Sequence, residues 1–468
     1  MPDARKQKIL ITPQSVQVRP VETRIQDFDP ITIHFDEASA RAEADRCLFC
    51  PRQPCVNACP LHNDIPTAMR YIAEGQFGEA AAVYRITSTM PEICSRVCPQ
   101  ENLCEGACVL GKRGTALALG ALERFVNDYA GRPEPPQTVR TGKSVAVIGA
   151  GPAGLSAAQR LLEKGHAVTL YEAWPAPGGW MTYTIPTYKL PRPVLQTRIE
   201  YLEALGARFV FNTRIGRDVA LDELRQQYDA VFIGVGAMKD TAVKFEGKDL
   251  PGVYTGTEFL LPVCTPQAIS PNGYAMPLVG EHVVVFGGGD TAMDCVRTAL
   301  RLQVQQGNKP HVTLIYRRTE DEMPAARKER HAAHEEGVEF LYLTAPVAFR
   351  AGEHGRITEV IVQRMELGEP DASGRPRPVP VVGGEYSIAA DVAVLALGYG
   401  PDALLGEQSP ELATHQWGLV IADSETGETN LPGVFAGGDS VRGPNLVSRA
   451  ARDGIVAAEA IDRYLMNS

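Results

Sequence analysis

The stretch 144–173 (SVAVIGAGPAGLSAAQRLLEKGHAVTLYEA) is apolar without a break, turns through glycines, becomes apolar at helical spacing, and is then apolar again. Residues 282–302 (HVVVFGGGDTAMDCVRTALRL) with 311–318 (HVTLIYRR) repeat this grammar. Strands with no polar face belong in parallel sheets covered by helices on both sides. Two further apolar strands, in 229–237 (DAVFIGVGA) and 391–402 (DVAVLALGYGPD), each run into a glycine turn. This pairing predicts two chain crossings between nucleotide-binding units, the second unit being inserted into the first. The tail 431–461 (LPGVFAGGDSVRGPNLVSRAARDGIVAAEAI) predicts a strand, an aspartate-bearing turn and a helix that complete the first unit.

The region before residue 144 has a different pattern. Residues 1–36 read as an extended lead-in, and 36–47 as a helix that delivers Cys47 at its end. Residues 65–86 predict two short helices broken at Gly75 and Gly78, and 115–130 an amphipathic helix. A proline-rich linker, 131–143, follows. The predicted fold class is α/β: a helical amino-terminal domain followed by two Rossmann-like units, the second inserted in the first. The expected borders are 1–138 for the helical domain, 139–265 and 391–468 for the two parts of the first nucleotide-binding domain, and 266–390 for the inserted one.

Composition narrows the partners. A length of 468 residues suits about three domains. A net charge of -10 argues against nucleic acid or an anionic membrane, both of which select a basic face. No apolar run is long enough to cross a bilayer, and the first residues lack the apolar core of a signal peptide, so a cytoplasmic location is expected.

The cysteines carry the strongest chemical signal. Eight of ten lie between Cys47 and Cys108, spaced Cys47-x2-Cys50-x4-Cys55-x3-Cys59-Pro60, Cys94-x3-Cys98-Pro99 and Cys104-x3-Cys108. The first run matches the ligand pattern of two-cluster ferredoxins, in which the cysteine before proline serves the other [4Fe–4S] cluster. Zinc usually takes two separated pairs, and disulfide frameworks belong to small secreted chains, so both are the weaker readings. Cys264 and Cys295 read as buried small hydrophobes.

Gly149-x-Gly151-Pro152-Ala153-Gly154 opens a helix after a strand, with an acid, Glu172, at the end of the next strand. That context predicts a pyrophosphate on the helix amino end and a ribose hydroxyl on the acid. Pro177-Gly178-Gly179, Gly438-Asp439 and the helix start at Leu446-Val447 favour FAD: an aspartate for the ribityl chain, and a helix amino end for charge on the reduced flavin. The second loop, Gly287-x-Gly289-Asp290-Thr291, is followed by Arg317-Arg318 where the first has Glu172, with Arg327 beyond. Guanidinium groups there predict NADP(H), since they pair with a 2′-phosphate. No side chain is expected to act as acid or base, because hydride transfer to flavin requires only positioning and the exclusion of water.

These strings, together with CPQENLCEGAC (98–108) and YRR followed by MPA, resemble the small subunit of NADPH-dependent glutamate synthase. The chain is also similar to the amino-terminal half of dihydropyrimidine dehydrogenase and the large subunit of NADH-dependent ferredoxin:NADP oxidoreductase. The resemblance implies FAD, two [4Fe–4S] clusters and NADP(H). It also implies a hetero-oligomer with a larger, glutamate synthase alpha-like catalytic subunit, or with a ferredoxin-type partner. By the same resemblance Cys47, Cys50, Cys55 and Cys108 hold one cluster. Cys59, Cys98 and Cys104 hold the other, with Glu123 as its fourth ligand in preference to Cys94. The sequence Gly179-Trp180-Met181-Thr182-Tyr183 is bulkier than the family pattern and leaves the flavin environment open. A ferredoxin-coupled or bifurcating NADP oxidoreductase subunit, a pyrimidine-reducing system's electron-input subunit, and a catalytically idle subunit are the competing expectations.

Overall fold

A computed structural model describes residues 8–271, 273–371 and 374–467, so the first seven residues of the predicted helical domain lie outside the described residues. Two five-stranded parallel sheets organise the rest of the chain. The first orders its strands Val434–Ala436, Ala230–Ile233, Ser144–Ile148, Ala167–Tyr171 and Arg208–Val210. The second orders Val253–Thr255, Val392–Leu395, Val283–Phe286, Val312–Ile315 and Glu339–Leu341. Their central strands are buried along almost their whole length, as apolar runs without alternation require.

The crossings between the two units pair with each other. Lys239–Asp240 and Tyr399–Gly400 form a two-stranded antiparallel ribbon. The sheet memberships correct the expected borders: strands 253–255 and 392–395, assigned by sequence to the FAD part, both belong to the inserted sheet. The reason lies in the register. Val392–Leu395 pairs along its length with Val283–Phe286, and the chain leaves the unit only at the glycine turn that follows. A three-stranded antiparallel sheet, Thr344–Ala351, Ile357–Pro370 and Pro376–Ala389, extends from the inserted unit and was not anticipated.

The amino-terminal region is helical, with Glu37–Asp45 capped by the Asp36 carboxylate. Gly75 ends helix Ile65–Glu74 in a left-handed conformation, but Gly78 lies inside helix Phe77–Thr87 and breaks nothing. The lead-in is not simply extended. It turns through Val21–Arg24 and sends the buried Arg24 guanidinium to Glu336 of the inserted unit (2.9 Å).

Helix Val447–Met466 packs along helix Pro152–Glu163, and Gly454 permits the contact. A Cβ there would stand 2.1 Å from the Ala153 carbonyl oxygen, so any side chain would force the helices apart. Both helix amino ends therefore open onto one cavity.

Candidate functional site

That cavity, of about 720 Å³, lies between the two sheets and the helical region. Its first wall is the Gly149–Ala153 loop. Gly149 adopts φ 94°, and a Cβ there would stand 2.5 Å from the Gly234 carbonyl oxygen, while a Cβ at Gly151 would meet nothing within 4 Å. Gly154 sits against the Gly149 carbonyl, where a Cβ would be 1.9 Å away. The loop is thus tight at its first glycine, open at its second and packed at its third, as a pyrophosphate cradle requires.

Glu172 is buried beneath this loop. Its Oε2 accepts from the Ala150 N–H (2.8 Å) and its Oε1 from Trp174 N–H (3.0 Å). Burial raises the carboxyl pKa, and these backbone donors oppose the shift. Each oxygen keeps a further lone pair for a hydroxyl donor. Gly179, Asp439, Asn445, Leu446 and Val447 line the same wall. Asp439 is pushed up to about 6, chiefly by burial. Gly438 lies behind it, against Ala153.

The opposite wall carries Asp290 and Thr291 at the start of helix Asp290–Gln305. Gly287 is pressed on the Ala396 carbonyl, and Gly289 has open space where a Cβ would be. Beyond the loop the three arginines separate: Arg317 and Arg327 are exposed, whereas Arg318 is buried. Arg318 donates to the Pro376 carbonyl (2.8 Å) and to Asp371 Oδ2 (2.9 Å). The arginine expected at a 2′-phosphate is thus held in an ion pair within the unit.

Several cavity residues carried no motif in the sequence. Lys189 bridges Asp294 (2.7 Å) and Glu329 (3.1 Å), one residue each from three separate chain segments. Burial pushes the Asp294 carboxyl up to about 6, against the pull of the Lys189 ammonium. Asp294 follows Asp290 by one helical turn, the only hint of it in the sequence. Trp174, Trp180 and Tyr399 form an aromatic wall, with Trp180 5.2 Å from Tyr399 and 5.8 Å from Trp174. The Trp180 Nε1–H is buried, and among the described residues it has no acceptor. With two glycine loops facing each other, the cavity fits a flavin on one side and a nicotinamide nucleotide on the other.

The cysteines form two groups. Cys47, Cys50, Cys55 and Cys108 line one small cavity, closed by Leu48, Ile65, Leu110, Leu117 and Leu119 among others. Apart from Gln53 the lining is thiols and apolar side chains, which suits a cluster shielded from water. Among the described residues no disulfide joins any of the cysteines. Among the described residues no three His, Cys, Asp or Glu side chains converge on a single ion. The thiols instead stand around a space, the arrangement that a body of several iron and sulfide atoms needs. Burial pushes Cys47 up to about 11 and Cys55 to about 12, so a bound metal must displace their protons.

Cys59, Cys98, Cys104 and Glu123 make the second group. Each lies close enough to another to perturb its ionisation, and burial raises the Glu123 carboxyl well above its ordinary range. Asn63 Nδ2 donates to Glu123 at 3.4 Å. Cys94, one turn before Cys98 on helix Pro91–Val97, shares a hydrogen bond with it. Both thiols are buried. Val97 and Pro99, on either side of Cys98, line the main cavity. The second thiol group therefore adjoins the nucleotide loops, and the first lies farther out.

Comparison with known proteins follows the same division. Residues 24–134 match the family model "dihydropyrimidine dehydrogenase domain II, 4Fe-4S cluster", and 143–454 match "pyridine nucleotide-disulphide oxidoreductase". The glutamate synthase [NADPH] small chain of Escherichia coli is 41% identical over 463 residues, 96% of each chain. The beta subunit of the NADP(+)-dependent formate dehydrogenase of Moorella thermoacetica is 39% identical over 88% of this chain and 60% of its own length. In fold, FprA of Mycobacterium tuberculosis, solved with NADPH, matches 69% of this chain and 85% of its own, with a TM-score of 0.58 at 19% identity. Among the described residues no helix is long and apolar enough to cross a membrane.

Proposed function

The chain belongs to the family of the NADPH glutamate synthase small chains, within the pyridine nucleotide-disulphide oxidoreductases, and from that premise we propose that it is the electron-input subunit of a larger enzyme, oxidising NADPH and delivering electrons through FAD and two [4Fe–4S] clusters to a partner. The carrying observation is the shared cavity: the first glycine loop, Asp290 and Thr291 at the end of the second, and Val97 and Pro99 beside Cys98 line one space. FAD supplies the conversion between hydride chemistry and single electrons that iron–sulfur clusters require.

The remaining work falls to residues that bind and exclude. Gly149–Gly154, Glu172, Gly179 and Asp439 hold the flavin, with the amino end of helix Val447–Met466 facing its charge. Gly287–Thr291 holds the nucleotide pyrophosphate, and Arg317 with Arg327 reads its 2′-phosphate. Trp174, Trp180 and Tyr399 keep water from the space between. Cys47, Cys50, Cys55 and Cys108 hold the outer cluster; Cys59, Cys98, Cys104 and Glu123 hold the inner one. No side chain is needed as acid or base for the hydride step.

The partner is a larger catalytic subunit of glutamate synthase type. Near-complete coverage in both directions with the small chain of Escherichia coli supports this choice. A ferredoxin-type partner is the second reading; the formate dehydrogenase relative supports only that similar chains also serve as subunits of enzymes other than glutamate synthase. Anaerobically purified protein should contain FAD, iron and acid-labile sulfide, and should reduce artificial dyes with NADPH far better than with NADH. Dye reduction by NADH alone, or no labile sulfide, rejects the proposal; the protein that co-purifies with the chain separates the two partners.

A further inference from the structure

The inserted unit touches the iron–sulfur region at the start of helix Arg327–Glu335. Lys328 Nζ donates to the Cys98 carbonyl (2.9 Å) and to Gln100 Oε1 (2.7 Å), and its backbone N–H donates to Glu101 Oε1 (3.1 Å). All three acceptors lie in the four-residue loop that begins with a thiol of the inner group. Gln100 anchors that loop. It is buried, donates to the Ser95 carbonyl (2.9 Å), and its own carbonyl accepts from Leu103, Glu105 and Gly106.

The ammonium's own acceptors are neutral oxygens, while the carboxylates of Glu101, Glu105 and Glu123 stand around the same loop and thiols. The outer group differs. Lys8, the cation near Cys47, is paired with the Asp45 carboxylate at 3.0 Å. A cluster that accepts an electron gains one negative charge, and a fixed cation nearby favours that state. Reduction potentials of such clusters follow local charge and hydrogen bonding.

We propose that Lys328, carried by the nucleotide-binding unit, is a positioning residue that raises the reduction potential of the cluster held at Cys59, Cys98 and Cys104, so that this cluster takes electrons leaving the flavin. The inference rests on the ligand set proposed above. It gives the inserted unit a second task beside holding nucleotide: its docked position sets the driving force of the next step.

The test is a dithionite titration of the full chain, prepared anaerobically, with each cluster followed by electron paramagnetic resonance. In K328Q the midpoint potential of one cluster should fall, with the other midpoint, the iron content and the flavin content unchanged. K328R should keep the wild-type value. Unchanged midpoints in K328Q overturn the proposal. Loss of the cluster from K328Q also overturns it, since the lysine would then merely hold the loop. A C104S variant checks the premise separately: if it retains both signals, the ligand set is wrong whatever K328Q does.

Discussion

Arg318 and Asp371 form an ion pair at 2.9 Å, with the arginine buried at 3% exposure while its neighbour Arg317 faces solvent. Adjacent guanidinium groups, equivalent in the sequence, thus have different duties. Arg317→Ala should raise the KM for NADPH by about 10- to 100-fold, the worth of a charge-assisted bond to phosphate, and leave NADH nearly unaffected. Arg318→Ala should mainly lower thermal stability by leaving Asp371 without this partner. Steady-state kinetics with both nucleotides decides the matter; equal losses for NADPH and NADH in Arg317→Ala would reject its role.

Glu123 and Cys94 are the two candidates for the fourth place at the proposed inner cluster, and both are buried near Cys98. A thiol that is hydrogen-bonded to a ligand sulfur tunes that sulfur instead of binding its own iron. Glu123→Ala should lose or alter one cluster, removing up to roughly half of the iron if it is lost. Cys94→Ser should retain all of it and shift only the potential. Iron and sulfide analysis, with resonance spectra, distinguishes the variants. Full iron content and an unchanged spectrum in Glu123→Ala would remove the oxygen ligand.

The sequence made legible what repeats a local grammar. The two glycine loops, the buried strands behind them and the cysteine spacing are set by contacts within short segments, so Gly149, Gly289 and Cys55 could be placed before any fold was known. Lys189, Lys328 and Tyr399 could not, because each acts by meeting a residue from a distant segment. The border at residue 390 failed for a related reason. An apolar strand followed by a glycine turn looks the same in either sheet, and only its partner strand at 283–286 decides where it belongs.

Glu336 lies at the centre of a buried charge cluster joining the lead-in to the inserted unit. It accepts from Arg297 (2.9 and 3.0 Å), Arg301 (2.8 and 3.1 Å) and Arg24 (2.9 Å). Burial pushes its carboxyl up, but the guanidinium bonds prevail and hold it down to about 2, against an ordinary 4.5. A depressed folded pKa contributes stability that is complete above the unfolded value and is lost as pH falls through the folded one. The contribution should therefore fade between pH 4.5 and about 2. Glu336→Gln should cost about 3–5 kcal/mol at neutral pH, because three buried cations lose their shared counter-charge. Urea unfolding followed by circular dichroism should show this, with a shallower acid dependence in the variant; parallel acid profiles would refute it.

Trp180 lines the cavity with its ring while its indole N–H is buried with no acceptor among the described residues, and this gives its replacement two opposite signs. Without cofactor, Trp180→Phe deletes a buried unpaired donor, a change that is neutral or slightly stabilising when the ring packing is kept. With flavin bound, the same substitution trims the larger indole face from the aromatic wall, which should weaken flavin binding by roughly 3- to 10-fold at about 1 kcal/mol. Phenylalanine preserves an aromatic neighbour for Tyr399, now 5.2 Å away, so the water-excluding wall survives. Melting of cofactor-free protein and titration of flavin into it separate the two effects. A variant destabilised without cofactor, and binding flavin as well as the parent does, would reduce Trp180 to a packing residue and leave flavin recognition to the glycine loop and Glu172.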